Sequence, residues 1–290
     1  MSNNKDSLGD RMKQYEYVTR NYLTRKLPVI CRLDGKAFHS FTRGLKKPLD
    51  DIFVKSMQDT MKYLCENVQG CVLGYTQSDE ITLVLVDYQN REASAWFDNN
   101  IQKMVSVSAS MATLAFNKAF AKHVEEWMDN YFEAWNHADW EDKYLEILEK
   151  KVATAMFDSR VFTLPKEEVI NCLIWRQQDA TRNSIQSVGQ ANFSHNQLHG
   201  KNCSNIQDML MLEKGINWND YPTHKKRGTC VIRNYIKCTP YGNIMANKDV
   251  PNGHWFIDTE IPIFKGEGRE YIDRLIRFDN CPCKGVDNNE

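Results

Sequence analysis

The sequence predicts an α+β protein with a β-α-β-β-α-β order of elements, the split βαβ or ferredoxin-like unit. Three observations carry that reading. A short apolar run, Val29–Leu33, stops abruptly at Asp34-Gly35. Two further runs, Cys71–Thr76 and Ile81–Val86, are separated only by Gln77-Ser78-Asp79-Glu80. Long stretches with apolar residues at helical spacing fall between and after them.

Val29–Leu33 is rich in β-formers and ends at a turn-forming Asp-Gly pair, so it reads as the first strand. Asp50 and Asp51 place acids at the start of a helix. Phe53, Met57, Met61 and Leu64 then recur on one face, and Asn67–Gly70 ends the helix. Cys71–Thr76 and Ile81–Val86 form two strands joined by a tight turn at 77–80. A second helix is expected over roughly Glu92–Val124, its centre small and apolar for close packing on a sheet. Glu125–Lys150 sets Trp127, Tyr131, Trp135, Trp140 and Tyr144 among nine acids. It reads as an amphipathic helical excursion whose aromatics pack on the protein or on a sister subunit. Ala153–Leu164 supplies the fourth strand.

Beyond it, Lys166–Ser194 reads as helical, and Ile206–Lys214 as a short helix stopped by Gly215. Lys226–Lys237 reads as a strand with His254–Phe264 as its partner, and the tail from Arg277 as poorly ordered.

Composition narrows the classes. With 42% hydrophobic residues the chain can bury a sizeable core. No apolar run approaches the ~20 residues of a membrane span. The polar start Met1–Asp6 has no signal-peptide core, so a cytoplasmic protein is expected. A formal net charge of −1 gives no global support to nucleic-acid binding, which needs only a local basic face. Three clusters are candidates: Arg20, Arg25 and Lys26; Lys46 and Lys47; Lys225, Lys226 and Arg227. The ordinary reading of each is a solvated surface. Among nine cysteines, Cys31, Cys65, Cys71 and Cys172 fall in apolar segments and read as reduced core residues. Cys281 and Cys283 with Cys230 and Cys238 fit no common zinc spacing. His195 and His199 lack the glutamate of a metalloprotease helix and read as surface or packing residues.

Chemistry gathers on two aspartates. In a β-α-β-β-α-β unit the first and third strands lie side by side, which brings Asp34 to face Asp79 despite 45 residues of separation. Mg²⁺ takes one or two carboxylates plus substrate phosphates, so two aspartates suffice for a pair of ions. Two such ions, about 3.5–4 Å apart, stabilise both the attacking and the leaving oxygen of an in-line displacement. Gly35 lets bare backbone approach phosphates, Lys36 and Lys47 can neutralise their charge, and Ser78 can donate a hydroxyl. This is a polymerase-palm arrangement. Residues 1–165 would form the palm-like catalytic domain and 166–290 a helical and small-β extension packed on it.

At these residues a resemblance becomes specific. Arg32-Leu33-Asp34-Gly35-Lys36-Ala37-Phe38-His39, then Lys47-Pro48-Leu49-Asp50, then Gln77-Ser78-Asp79-Glu80 resemble the tRNA-His guanylyltransferase family. That family carries Arg-Leu-Asp-Gly-x-x-Phe-His, Lys-Pro-x-Asp and Gln-Ser-Asp-Glu in the same order. Phe157-Asp158-Ser159-Arg160 and Trp175-Arg176-Gln177 resemble two further blocks. The likeness is fullest over Tyr15–Ser194, and looser at Gly200-Lys201 and Leu212–Gly215.

The resemblance implies a nucleotidyltransferase that adds nucleotides in the 3′→5′ direction to the 5′ end of tRNA. ATP would adenylylate the 5′-monophosphate, the 3′-hydroxyl of GTP would displace AMP, and pyrophosphate would leave the new end. It implies that Asp34, Asp79 and the Gly35 carbonyl hold two Mg²⁺. The Asp34–His39 loop (Asp34, Gly35, Lys36, Ala37, Phe38, His39) and Ser78 would hold the triphosphate. Lys47 would stand near the activated 5′ end, and a homotetramer is implied. One stretch departs from the eukaryotic pattern: Thr181-Arg182-Asn183-Ser184-Ile185-Gln186-Ser187 stands where those enzymes carry His-Ile-Asn-Asn-Leu-Tyr-Asn. In this the chain resembles the bacterial, archaeal and phage guanylyltransferase-like proteins, which favour templated repair of tRNA 5′ ends.

Two other readings stand beside it. A nucleotide cyclase-like palm would act on a free triphosphate, but Lys47 and the Gln-Ser-Asp-Glu context argue against it. A non-catalytic RNA-binding ferredoxin-like module would carry aromatic and basic residues on its central strands, and Val29–Leu33 lacks the aromatics.

Overall fold

Val29–Gly35 (β1) is buried on both faces: Val29, Cys31 and Leu33 enter one apolar cluster, and Ile30 enters another. A strand of that kind belongs inside a sheet. The computed structural model, which describes residues 7–133, 138–234, 236–239, 242–245, 249–251 and 253–276, places it there.

Before β1 runs Ser7–Tyr17 (α1), which buries no residue. After it come a short turn of helix, Phe38–Phe41 (α2), and Asp51–Asn67 (α3). Asp50 caps α3, its Oδ1 accepting from the amides of Ile52 and Phe53 at 2.9 and 3.2 Å. Cys71–Gln77 (β2) and Glu80–Leu85 (β3) meet at a two-residue turn, Ser78-Asp79. Ile101–Glu133 (α4), Asp139–Lys151 (α5) and Phe157–Thr163 (β4) complete the predicted order. The chain continues through Lys166–Asn192 (α6), His195–Leu198 (α7), Cys203–Lys214 (α8) and Thr223–Arg227 (α9). Thr229–Arg233 (β5), Ile236–Thr239 (β6), Gly242–Met245 (β7), Trp255–Asp258 (β8) and Arg269–Ile276 (α10) follow.

Six strands form one antiparallel sheet in the order β4-β1-β3-β2-β5-β8, and β6 and β7 form a separate hairpin. β1 and β3 are neighbours, as the predicted topology requires. β5 and β8, from beyond residue 165, extend the same sheet at the β2 side. Helices α3 and α4 cover one face through Phe53, Met57, Met61, Met104 and Phe116. Helices α6 and α10 cover the other through Val169, Leu173, Ile272 and Ile276. Helices therefore cover both faces of the central strands, while Asp158 and Arg160 of β4 stay exposed.

Several boundaries differ from expectation, each for a local reason. The second helix begins at Ile101, not Glu92, because Phe97, Asp98 and Asn99 take positive φ in a tight turn ahead of it. It then runs on to Glu133, so the aromatic segment 125–150 is the end of α4 plus a separate α5, not one excursion. Its aromatics pack within the chain: Trp127 stacks on Tyr131 at 5.4 Å and meets Tyr144 edge-on at 5.1 Å. Trp135 lies outside the described residues. The strand expected over Lys226–Lys237 divides into the end of α9, β5 and β6. Gly228 makes the first break: its φ is +88°, and a Cβ there would come within 2.5 Å of the Thr76 carbonyl. The expected partner strand His254–Phe264 shrinks to β8, while Ile261 and Phe264 turn into the α6 core.

Cys230 is a buried free thiol. The Cys281-Cys283 pair, the side chain of Cys238 and the tail from Arg277 lie outside the described residues. No described helix is long and apolar enough to cross a membrane.

Candidate active site

Asp34 is the last residue but one of β1, and Asp79 sits in the β2–β3 turn. The turn closes because Ser78 takes φ 50°, a left-handed conformation. The amide of Gly35 then donates to the carbonyl of Asp79 at 3.0 Å, tying the end of β1 to the turn. On the other side the amide of Lys36 donates to the carbonyl of Met156 at 2.9 Å. Across the sheet Asp34 is in register with Glu80 of β3 and Asp158 of β4. The structure thus brings Asp34, Gly35, Ser78 and Asp79 to one sheet edge.

The chain leaves that edge by folding back on itself. A Cβ on Gly35 would lie 2.3 Å from the Phe38 ring, so a bare α-carbon is required for the loop to close. Phe38 is 2% exposed and packs against Phe41, Phe53, Phe116 and Phe157. Its ring is core, and any part it takes in nucleotide binding falls to its backbone. Lys36, Ala37 and His39 are exposed around the loop, and Ala37 has φ 56°. Lys47 is exposed on the separate loop that enters α3.

In the electrostatics of this edge burial outweighs the nearby arginines Arg32 and Arg160. Burial pushes the Asp34 carboxyl above the ordinary carboxylate range, and the charges of Asp79 and Asp158 push it further. Burial likewise raises Asp79, against hydrogen bonds from its own amide and from Ser78. Two desolvated carboxylates and a backbone carbonyl are hard oxygen donors of the kind Mg²⁺ prefers. Among the described residues no cluster of three or more His, Cys, Asp or Glu side chains is arranged for a metal.

Glu80 behaves differently. Arg176 Nη1 reaches its Oε2 at 2.8 Å, and Arg32 Nε lies 3.9 Å away. The arginine partner of Glu80 lies 96 residues further on in the Trp175-Arg176-Gln177 block, and nothing in either segment marks the two as a pair.

A cleft borders the same turn, lined by Gln77 and Ser78 of the sheet, Asn183 and Ser184 of α6, and Lys225 and Lys226 of α9. Burial and the neighbouring Lys225 lower the pKa of His224, which also lines it. This basic cluster borders the turn through that cleft, with Lys225 Nζ paired to Asp51 at 2.6 Å and Lys226 Nζ donating to the Asn219 carbonyl at 2.5 Å. Lys26 instead caps carbonyls, donating from Nζ to Asp87 at 2.6 Å and Ala93 at 3.0 Å, and Arg25 pairs with Asp98 at 3.2 Å.

A family model described as tRNAHis guanylyltransferase matches residues 9–165. An uncharacterised protein of Acanthamoeba polyphaga mimivirus is 28% identical over 242 residues, covering 80% of this chain and 79% of that protein. The tRNA(His) guanylyltransferase of Debaryomyces hansenii is 27% identical over 242 residues, covering 77% and 81%. A bacterial tRNA(His) guanylyltransferase-like protein solved in complex with ATP superposes with a TM-score of 0.75 at 40% identity, covering 94% of this chain and all (100%) of that one. A bacterial structure with GTP gives 0.69 at 37% identity, covering 93% and 99%.

Proposed function

The chain belongs to the tRNAHis guanylyltransferase family, and on that premise we propose that it is a Mg²⁺-dependent nucleotidyltransferase extending the 5′ end of tRNA in the 3′→5′ direction. The observation that carries the reading is the Gly35–Asp79 hydrogen bond of 3.0 Å. It fixes two carboxylates, both desolvated and mutually repelling, at one sheet edge, where they would hold divalent cations. Bound there, the cations would supply Lewis-acid stabilisation of phosphoryl charge. Residues 1–165 would form the catalytic palm, and 166–290 would supply one wall of the cleft beside it.

The reaction runs as two displacements at phosphorus. A 5′-phosphate oxygen of the RNA attacks the α-phosphorus of ATP, and pyrophosphate leaves. The 3′-hydroxyl of an incoming nucleoside triphosphate then attacks the activated 5′-phosphorus, and AMP leaves. The chain's residues divide that work. The 34–39 loop, through its amides beyond Lys36, and the Ser78 hydroxyl would hold the triphosphate, and Lys47 would meet the charge of the 5′ end. The names of the structural neighbours include ATP and GTP complexes, which supports both nucleotides as substrates. The Thr181–Ser187 stretch, whose Asn183 lines the cleft, favours templated 5′-end repair over strict addition of one guanosine to tRNA-His.

The test is incubation with 5′-truncated tRNA, ATP, GTP and Mg²⁺. Extension is expected from the unmodified protein and none from Asp79→Ala. Equal extension by that variant would remove Asp79 from the metal site. A cyclic product from GTP without RNA would replace this reading with the cyclase one.

A further inference from the structure

The aromatic segment that the catalytic reading leaves unused converges on one lysine. Lys46 Nζ lies 4.6 Å from the ring centre of Tyr144, 5.0 Å from Trp140 and 5.6 Å from Trp127. Three electron-rich faces around one ammonium make a cation cage. The cage is itself rigid at its base: Tyr144 is 4% exposed and packs edge-on against Trp127. Its hydroxyl donates to Asp50 Oδ2 at 2.5 Å. The same oxygen accepts the backbone amide of Lys46 at 2.9 Å. The other oxygen of Asp50 caps α3.

Lys46 is therefore held at both ends. Its amide is tied to a buried carboxylate, and its ammonium, on a side chain that stays exposed, lies over rings from α4 and α5. Lys47 is the next residue in the chain, exposed, on a loop pinned at Lys46 on one side and at Asp50 on the other. A lysine that serves solubility alone leaves its ammonium in water with its rotamers free.

We propose that Trp127, Trp140 and Tyr144 form a clamp on Lys46 that fixes the loop bearing Lys47, making Lys46 a positioning residue for nucleotidyl transfer. The proposal rests on the reading of Lys47 as a group that meets phosphate charge, and it gives the α4–α5 aromatic segment a task in catalysis. The clamp acts by preorganisation. A loop already ordered before substrate binds presents the ammonium without an ordering cost at the moment of reaction.

The experiment uses the full chain and the variants Lys46→Met, Lys46→Arg and Trp140→Leu, with truncated tRNA, ATP and GTP as substrates. Hydrogen exchange at the amides of Leu45, Lys46, Lys47 and Leu49 is expected to accelerate by about tenfold in Lys46→Met and Trp140→Leu, and to stay near the starting rate in Lys46→Arg. The kcat for nucleotide addition is expected to fall about five- to twentyfold in Lys46→Met with KM for ATP changing less than about twofold, and Lys46→Arg is expected to restore most of it. In a Lys47→Ala background, Lys46→Met should cost nothing further.

Unchanged exchange in Lys46→Met overturns the clamp. An equal loss of kcat with and without Lys47 overturns its action through Lys47. If Lys47→Ala itself keeps full kcat, the reading of Lys47 fails and takes the catalytic purpose with it, while the exchange rates still decide whether the cage orders the loop.

Discussion

Arg176 Nη1 donates to Glu80 Oε2 across 2.8 Å, with both side chains buried. Glu80 adjoins Asp79 in the chain and faces Asp34 across the ladder, so three carboxylates crowd one sheet edge. The arginine commits Glu80 to an ion pair and leaves Asp34 and Asp79 outside it, as the proposed cation site requires. Replacing Arg176 with Met strands a buried carboxylate. The expected cost is about 3 kcal/mol, since breaking a buried pair from one side leaves an uncompensated charge.

The pH dependence has a definite sign. Burial already raises the Glu80 pKa against Arg176 and Arg32, and losing Arg176 raises it further. A carboxyl with a raised folded pKa takes a proton as pH falls, which relieves the penalty. Urea melts of Arg176→Met should therefore show the largest deficit at pH 8 and a smaller one at pH 5. A deficit independent of pH would mean that lost packing, not Glu80 charge, is the cause.

Asp34 and Asp79 have folded pKa values raised by burial, and Asp34 by Asp79 as well. Their contribution to stability is thus greatest when they are protonated and is lost as pH rises through the folded pKa. Without divalent cations, Asp34→Asn and Asp79→Asn should each raise Tm by about 1–4 °C at pH 7.5, with the gain shrinking toward pH 5. Mg²⁺ should raise the Tm of the unmodified protein and leave the doubly substituted protein unmoved. Scanning calorimetry with and without chelator reads both effects.

Sequence pattern reached the site further than it reached the frame. Asp34 and Asp79 were legible because each ends an apolar run, and the order of those runs dictates that β1 and β3 are neighbours. Nothing local marks Thr229–Arg233 as the next strand beside β2, because antiparallel pairing across so long a separation leaves no trace in either segment. Gly228 shows the same limit. Its positive φ and its approach to Thr76 end α9 and start β5, yet in sequence it is one glycine after a basic run. The placing of Lys225 and Lys226 beside Ser78 followed from that turn, and so could not be read without the fold.

Gly35 is bare for a steric reason. A methyl group there would sit 2.3–2.7 Å from three atoms of the Phe38 ring, and that ring is locked among four other phenylalanines. Gly35→Ala should cost about 1–3 kcal/mol, the range for overpacking a filled core. It should also displace the amide that meets the Asp79 carbonyl. Denaturation midpoints and the extension assay should fall together. Full activity in a destabilised variant would separate the Phe38 packing from the geometry of the aspartates.

Ser78 combines a strained backbone with a useful hydroxyl, and two substitutions separate them. Its φ of 50° costs an L-residue about 1–2 kcal/mol, a strain that glycine does not feel. Part of that gain is returned through the greater chain entropy of glycine, about 0.5–1 kcal/mol. Ser78→Gly should therefore be stabilised by up to about 1 kcal/mol relative to Ser78→Ala. Both lose the hydroxyl, and a hydrogen bond to a charged phosphate is worth about 1.5–3 kcal/mol. The KM for the triphosphate should then rise about 10- to 100-fold in each. The hydroxyl also lowers the Asp79 pKa, so its loss should move the acid limb of the activity profile to higher pH in both variants. If Ser78→Gly keeps the KM of the unmodified protein while Ser78→Ala does not, the turn's shape grips the nucleotide and the hydroxyl does not.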